Sequence, residues 1–154
     1  FVPLVLQPAW QLGDRLRGLP VRQMASALAR QARPAEPVAM VGMLKPSLHY
    51  YGRRVVIYEG AEPHNLVNLA DRLRTETRPG QPASTPGEQP TLLMVIDTGT
   101  AALPFWQGLE PQLLDRRGIY GLWRLDRRRL ERRAAQLQRQ GVAADWRLPR
   151  PERY

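Results

Sequence analysis

The sequence predicts an α/β domain, a three-layer sandwich with a small, mainly parallel sheet of four to five strands. Short apolar runs alternate with segments of helical periodicity, and a run that is apolar throughout is typical of a parallel strand covered on both faces. Strands separated by helices need crossover connections, which are right-handed and place helices on both faces of the sheet. With 154 residues, of which 43% are hydrophobic, the chain is long enough for one such core.

Two helices with a clear apolar stripe are predicted in the first half of the chain, with hydrophobic residues at positions i, i+3, i+4 and i+7. The stripes consist of Val21, Met24, Ala25 and Leu28 after Pro20, and of Leu66, Leu69, Ala70 and Leu73 after Pro63. We expect the polar residues of the second helix to point to solvent, namely Asn65, Asn68, Asp71 and Arg72. Between the helices, apolar runs predict strands over 38–44 and 54–58, separated by a short helix over 48–51.

The second half of the chain continues the alternation of strands and helices. Its predicted elements are strands over 91–96 and 119–125, a short helix over 104–114 between them, and an edge strand over 142–148. Asp126 has the side chain of an N-cap residue, and it begins an arginine-rich helix whose Leu130, Ala134 and Leu137 share one face. Gly141 is expected to end that helix, because glycine adopts the left-handed conformation at low cost.

The domain is expected to extend over residues 20–148, with a mobile loop over 77–90. This loop is rich in proline, glycine, serine, threonine and glutamine, which cannot bury enough apolar area to offset the entropy of ordering. Residues 1–19 are expected to be a linker or the stub that follows a membrane helix, because the apolar opening FVPLVL is far shorter than the roughly 20 residues that cross a bilayer. Residues 149–154 are expected to form a frayed tail.

Positive charge dominates the composition. The formal net charge is +9, and all but one of the 23 basic residues are arginines. Guanidinium clusters bind the phosphates of nucleic acids, lipid headgroups or substrates, but a solvated surface explains the charge equally well. The densest cluster consists of Arg127, Arg128, Arg129, Arg132 and Arg133. It lacks the interleaved aromatic residues that single-strand binders use for base stacking, which argues against nucleic acid as a partner.

One short motif, Asp97-Thr98-Gly99-Thr100, follows the predicted third strand and is similar to the signature of aspartic proteases. Those enzymes are β-rich and bring two such aspartates together, whereas the motif occurs once here and follows a strand of an α/β pattern. A phosphoryl-transfer enzyme of the haloacid dehalogenase type needs a second aspartate two positions later, where this chain has Gly99. We therefore favour a structural role in which Asp97 caps the next turn or helix.

Other motifs of catalysis and cofactor binding are missing from the sequence. After the first strand the chain reads LKPS, which is neither of the glycine-rich loops that hold nucleotide phosphates. His49 and His64 are the only histidines, and neither belongs to a set of residues with the spacing of metal ligands. The chain has no cysteine and no G-x-S-x-G elbow, which excludes thiolate chemistry and the usual serine hydrolases. We expect no metal and no cofactor in this chain.

The sequence VGMLKPSLHYYGRRV, residues 41–55, resembles the K-P-S-L-x-x-Y-x-x-R-x-V pattern in the soluble C-terminal domain of bacterial membrane glycosyltransferases. These enzymes form the superfamily of the dolichyl-phosphate-mannose protein mannosyltransferases and the lipid A aminoarabinose transferase. Lys45, Pro46, Ser47 and Tyr51 match the pattern, and its arginine and valine fall in the sequence RRVV that follows. The resemblance extends mainly over residues 20–60.

The resemblance implies a non-catalytic, extracytoplasmic accessory domain of an enzyme that transfers a sugar from a polyprenyl-phosphate carrier to a lipid or protein acceptor. The implied location is the periplasmic face of the bacterial cytoplasmic membrane. The implied partners are the membrane domain of the same protein, the lipid-linked sugar or acceptor, and anionic lipid headgroups. In this family the catalytic aspartates and any divalent metal belong to the membrane part. Candidate contacts for substrate or headgroups in this chain are Lys45, Ser47, Tyr50, Tyr51, Arg53 and Asp97.

Two alternatives from other functional classes stay open at this point. A stand-alone basic α/β module that binds nucleic acid or another polyanion would show salt-sensitive binding. A small hydrolase or phosphotransferase that uses Asp97 would lose its activity, but not its fold, when Asp97 is replaced by alanine.

Overall fold

The structure, a computed structural model, describes residues 19–75 and 90–148 of the chain. The strands within these residues are β1 (Val38–Val41), β2 (Val56–Glu59), β3 (Thr91–Asp97), β4 (Gln112–Arg117) and β5 (Tyr120–Asp126). The helices are α1 (19–31), α2 (Ser47–Gly52), α3 (Pro63–Thr75), α4 (Thr98–Ala101) and α5 (Arg127–Arg139). The strands form one sheet in the order β2-β1-β3-β5-β4. The predicted α/β class with a small sheet is therefore confirmed.

The sheet is half parallel and half antiparallel, so the expectation of a mainly parallel sheet is correct only for its first half. β1 pairs in parallel with β2 and β3, whereas β5 pairs antiparallel with β3 and β4. The difference arises at Gly118 and Ile119, a two-residue turn that joins β4 directly to β5. Gly118 has a φ of +58°, and a positive φ at the first turn residue is what a tight hairpin needs. No helix crosses over between these strands.

Helices cover both faces of the sheet, as the three-layer prediction requires. β3 shows the alternation that divides the core: Leu93 and Val95 pack under α1 and α2, whereas Leu92, Met94 and Ile96 pack under α3 and α5. The predicted apolar stripe of α1 is buried in the first of these clusters, and it consists of Val21, Met24, Ala25 and Leu28. Each fully buried leucine or valine side chain contributes about 1.5–3 kcal/mol relative to an exposed one, so the two clusters hold the layers together.

The caps predicted for α5 are present. The Asp126 carboxylate accepts hydrogen bonds from the backbone N–H groups of Arg128 and Arg129, at 2.7 and 3.3 Å. Gly141 follows the end of the helix with a φ of +90°, the left-handed conformation in which glycine is favoured. Single residues of the sequence, Asp126 and Gly141, therefore predicted the start and the end of α5.

The predicted helix over 104–114 is wrong. This segment consists of turns that follow the short α4, and its last residues belong to β4. Gly108 and Glu110 have φ values of +79° and +46°, which a right-handed helix does not allow. Trp106 and Leu109 are buried under the turns, and the Trp106 indole N–H donates to the carbonyl oxygen of Ala61 at 3.2 Å. The segment is thus fixed by buried anchors without forming a helix.

The predicted edge strand over 142–148 is also wrong, because this segment packs against α3 instead of the sheet. The Asn68 side-chain oxygen accepts the backbone N–H groups of Asp145 at 2.8 Å and Trp146 at 3.2 Å. Asn65 and Asn68 are both buried, which corrects the expectation that they face solvent. The backbone N–H groups of this segment thus donate to the Asn68 side chain and not to a neighbouring strand.

Several predictions fall outside the described residues. The stub over 1–19, apart from its last residue, the loop over 77–90, apart from Pro90, and the tail over 149–154 stay predictions. Across 19–75 and 90–148, none of the helices combines the length and the apolar character that crossing a membrane requires.

Candidate functional site

The segment between β1 and β2 forms an exposed surface beyond the carboxyl ends of the parallel strands, where ligand sites of α/β sheets lie. We call residues 43–55 the α2 surface. Five of the six predicted contacts lie in it and are exposed, namely Lys45, Ser47, Tyr50, Tyr51 and Arg53. The sixth, Asp97, lies at the end of β3 and is buried. The structure therefore places five candidates on one surface and the sixth beneath its first residue.

Large apolar side chains are unusually exposed on the α2 surface. Tyr50 is 78% exposed and Met43 is 55% exposed. The same surface also exposes Leu44, Tyr51 and Val55. Met43 and Leu44 were predicted to be part of a buried strand over 38–44. That strand ends at Val41 because Gly42, with a φ of +86°, leaves the extended conformation, and this glycine was the signal in the sequence that marked the break.

Positive charge surrounds these apolar side chains. Residues 43–55 contain Lys45, Arg53 and Arg54 and no acidic residue. The guanidinium of Arg22, from α1, lies 5.0 Å from the centre of the Tyr51 ring, a cation–π arrangement. The Tyr50 and Tyr51 rings meet edge to face with 5.4 Å between their centres. The surface thus combines apolar, aromatic and cationic groups.

Asp97 holds the start of this surface from below. Its carboxylate accepts the backbone N–H of Met43 at 2.8 Å, and the N–H and hydroxyl of Thr100 at 2.9 and 2.7 Å. Burial alone would raise the pKa of Asp97, but these hydrogen bonds outweigh it and lower the pKa below its ordinary value. The favoured structural role is thus present, since Asp97 caps α4. A direct contact between Asp97 and a ligand stays a prediction.

The approach of Gly42 to this carboxylate leaves no space for a side chain. A Cβ atom added to Gly42 would lie 2.2 Å from Asp97 Oδ2 and 2.2 Å from Thr100 Oγ1.

Across the β3–β5 ladder, Tyr120 is paired with Asp97. Burial, and secondarily the negative charge of Asp97, raises the pKa of Tyr120.

α2 itself is fixed to the sheet by two further anchors. The Tyr58 hydroxyl accepts the backbone N–H of His49 and donates to the carbonyl oxygen of Pro46, each at 3.1 Å. Leu48 is 1% exposed and packs with the core under α1. The backbone at the start of α2 is therefore held to the sheet, while Tyr50 and Tyr51 remain exposed.

A second polar cluster, after β2, is closed. Glu59 is fully buried and accepts hydrogen bonds from Arg72 at 2.8 Å, Asn65 at 3.2 Å and Asn68 at 3.4 Å. Its carboxylate connects β2 with α3 and leaves no open face for a ligand. In the part of the chain that the structure describes, no three His, Asp or Glu side chains form a group that could hold a metal ion.

The arginine cluster of α5 borders a groove that the sequence did not reveal. We call it the α5 groove; its volume is about 640 Å³, and its polar lining includes Gln107, Glu110, Arg129, Arg132, Arg133 and Gln136. Glu110 forms an ion pair with Arg129. The turns over 104–110, which were predicted as a helix, supply the opposite wall.

Comparison with known proteins adds the family. The model of the family described as "Cyanobacterial RgtA-type glycosyltransferase, C-terminal domain" matches residues 31–141. Similar solved structures include ArnT from Cupriavidus metallidurans in the apo state, with 16% identity and a TM-score of 0.45. Another is ArnT bound to undecaprenyl phosphate, with 17% identity and a TM-score of 0.46. Each alignment covers 70% of this chain and 20% of the ArnT chain.

No curated protein matches the chain. The family match includes the KPSL segment on which the resemblance was based and continues through α5, well beyond residues 20–60. It also covers most of the chain, which confirms the identification of a glycosyltransferase C-terminal domain. The chain therefore belongs to the family of C-terminal domains of RgtA-type glycosyltransferases.

Proposed function

We propose that this chain is the non-catalytic accessory domain of an integral-membrane glycosyltransferase, and that its α2 surface faces the membrane and the membrane domain of the same protein. The parent enzyme would transfer a sugar from a polyprenyl-phosphate carrier to a lipid or protein acceptor on the periplasmic side. Family membership supports the kind of parent. The exposed apolar and cationic side chains of the α2 surface are the observation that carries the proposed orientation.

The α2 surface has the side-chain types that favour the boundary between lipid and water. Met43 and Leu44 offer apolar area, and Tyr50 combines an apolar ring with a hydroxyl that can reach headgroups. Lys45 and Arg53 supply positive charge, and each cation near an anionic membrane contributes about 1 kcal/mol of binding free energy. An isolated exposed leucine would need no explanation, but this combination in one segment favours a membrane interface.

The anchoring of the backbone supports the same role. Asp97 fixes the first residue of the surface, and Tyr58 fixes the start of α2. A surface whose backbone is already ordered loses less conformational entropy when it binds. We assign Lys45, Ser47 and Arg53 to contacts with phosphate groups at the membrane, and the catalytic groups to the membrane part of the parent enzyme.

Binding of the 154-residue chain to lipid vesicles tests the proposal. We expect the chain to sediment with phosphatidylcholine vesicles that contain phosphatidylglycerol. Met43→Ser with Tyr50→Ser should weaken binding about thirtyfold, because each of the two apolar side chains that leave the interface loses on the order of 1 kcal/mol. Lys45→Gln with Arg53→Gln should weaken it by a similar factor.

The matched control is Arg128→Gln with Arg139→Gln, which removes the same charge from exposed positions on α5. An equal loss in this control would show that total charge governs binding and would contradict the orientation. Salt-sensitive binding to an oligonucleotide that none of the α2 variants changes would instead favour the alternative of a basic nucleic-acid module.

The coding sequence upstream of Phe1 tests the proposed parent. Its hydropathy, averaged in windows of about 19 residues, should reveal several consecutive membrane-spanning helices. A start codon within a few residues of Phe1 would contradict the accessory-domain proposal.

A further inference from the structure

The α5 groove is a concave site, distant in sequence from the α2 surface, with the size of a small-molecule pocket. Its volume of about 640 Å³ lies within the roughly 300–1,000 Å³ range of ligand sites. One wall is the face of α5 that carries Arg129, Arg132, Arg133 and Gln136, and the other is the turn segment 104–110. Positions i, i+3, i+4 and i+7 lie on one side of a helix, so these side chains converge on the same space.

The charge of the groove is not balanced. Three arginines and one glutamate line it, which gives a net charge of +2. Glu110 pairs with Arg129, and no carboxylate in 19–75 or 90–148 pairs with Arg132 or Arg133. Like charges three and four positions apart on a helix destabilise it, so this clustering does not serve the stability of α5.

Arg133 is held in place without being neutralised. Its Nε donates to the carbonyl oxygen of Phe105 at 3.2 Å, and one Nη donates to that of Pro104 at 3.2 Å. The other Nη donates to the Gln136 side-chain oxygen at 2.7 Å. All three acceptors are uncharged. An arginine on a purely solvated helix face would have no such fixed orientation, whereas a preorganised guanidinium is suited to binding an oxyanion.

We propose that the α5 groove binds a phosphate group carried on a sugar-sized polar ligand. Guanidinium groups recognise phosphate oxygens by paired, charge-assisted hydrogen bonds. Arg132 supplies such a pair, and Arg133 adds one N–H from each Nη beyond the three N–H groups that it donates to the protein. The amide nitrogen of Gln136 is available to donate, because its oxygen is the atom that accepts from Arg133. The groove is larger than a bare phosphate needs, and the remaining space accommodates the polar scaffold. Glu110 competes with the ligand for Arg129.

Titration of the 154-residue chain with glucose 1-phosphate, followed by amide chemical shifts, tests the site. We expect saturable binding that glucose alone does not show, with the shifts concentrated at the groove. Arg132→Ala should weaken binding roughly tenfold, the loss typical of one charge-assisted contact. Glu110→Gln should strengthen binding severalfold, because it frees Arg129. The matched control Arg128→Ala removes an exposed arginine of the same helix that does not line the groove, and it should leave binding unchanged.

The origin of the phosphate is decided by a parallel experiment with vesicles that contain phosphatidic acid, which carries the same phosphate monoester on a lipid. If Arg132→Ala weakens binding to glucose 1-phosphate, the groove accepts a soluble phosphosugar. If it weakens only the binding to these vesicles, the phosphate is lipid-borne, and the groove still binds phosphate as proposed. The proposal is overturned if Arg132→Ala changes neither, or if Arg128→Ala has the same effect. Met43→Ser with Tyr50→Ser separates this site from the α2 surface, since it should not affect glucose 1-phosphate.

Discussion

Two carboxylates are buried at opposite ends of the sheet, and their partners differ. Before β1, Glu36 accepts two hydrogen bonds from the Arg124 guanidinium, at 3.0 and 3.2 Å. At the carboxyl end of β3, Asp97 accepts hydrogen bonds from uncharged donors, which belong to Met43 and Thr100. One carboxylate is paired with an arginine of β5, and the other accepts hydrogen bonds from two backbone N–H groups and one hydroxyl.

The two carboxylates lie at different ends of the sheet. Glu36 lies at the end where β1 begins, and Asp97 lies at the end that carries the α2 surface. The Glu36–Arg124 pair connects the start of β1 with β5, and Glu36 also accepts the backbone N–H of Arg33, in the turn before β1, at 3.0 Å. Asp97 accepts one hydrogen bond from the backbone N–H of Met43, the first residue of the α2 surface. The buried carboxylate thus has a counter-charge at one end and only uncharged donors at the other, and each arrangement predicts a different response to mutation.

The largest effect is expected when the ion pair is broken. Arg124→Met leaves the Glu36 carboxylate buried without its counter-charge, which should lower the free energy of unfolding by about 3–5 kcal/mol. Urea denaturation measures this change. Arg74→Met is the matched control, because Arg74 is 71% exposed in its pair with Asp71 and such pairs contribute about 1 kcal/mol or less. Equal losses in both variants would contradict the distinction between the buried pair and a surface pair.

A methyl group at Gly42 should have the next largest effect, at the other end of the sheet. Gly42→Ala places Cβ against Asp97 Oδ2 and imposes a positive φ on a residue that disfavours it. We expect a loss of about 2–3 kcal/mol in the same assay. Gly52→Ala is the control, because no atom lies within 4 Å of its Cβ position, and it should change the stability by less than about 1 kcal/mol.

Acid should weaken both ends of the sheet. Burial alone would raise the pKa of Glu36, but hydrogen bonds from Arg124, Thr91 and the Arg33 N–H, together with the Arg124 charge, lower it. The pKa of Asp97 is lowered as well. A lowered pKa in the folded state means that the stabilisation is complete above the ordinary pKa, near pH 4–5, and is lost as the pH falls further.

Urea denaturation between about pH 6 and pH 3 measures this loss. Asp97→Asn should lower the stability at pH 6 and make it less dependent on pH than that of the wild type, because one of the carboxylates with a lowered pKa is gone. An unchanged pH dependence in Asp97→Asn would show that the Asp97 carboxylate does not contribute to acid sensitivity.

Much of the fold was predictable from the sequence because single residues determine its boundaries. The stripes of α1 and α3, the Asp126 cap and Gly141 all act through local geometry. The hairpin was missed because Gly118 was not read as the first residue of a two-residue turn. The edge strand over 142–148 was predicted wrongly because Asn68, a polar residue on a helix, is buried and binds its backbone. That contact joins residues more than seventy positions apart and has no periodic signal.

The candidate site was predictable in part for a similar reason. Lys45, Ser47, Tyr50, Tyr51 and Arg53 lie in one continuous segment, so the KPSL resemblance alone was enough to place them together. Their support by Asp97 and Tyr58 depends on strand order, which the sequence did not provide. The α5 groove was not predicted at all, because its two walls come from separate segments. One wall is the 104–110 turns, which were predicted as a helix, and the other is α5.

The smallest effect is expected at Arg53, where stability and function of the α2 surface should be opposed. Arg53 caps α2 with a φ of +47°, a conformation that costs a residue with a side chain about 1 kcal/mol. Arg53→Gly removes this strain and should raise the free energy of unfolding by up to about 1 kcal/mol. The same change removes one cation and should weaken binding to phosphatidylglycerol vesicles several-fold. Arg53→Gln separates the two effects, because glutamine keeps a side chain in the left-handed conformation but is uncharged: it should lose vesicle binding as Arg53→Gly does, without the gain in stability. A variant that gains stability and keeps full vesicle binding would show that the arginine is not held in this conformation for its charge.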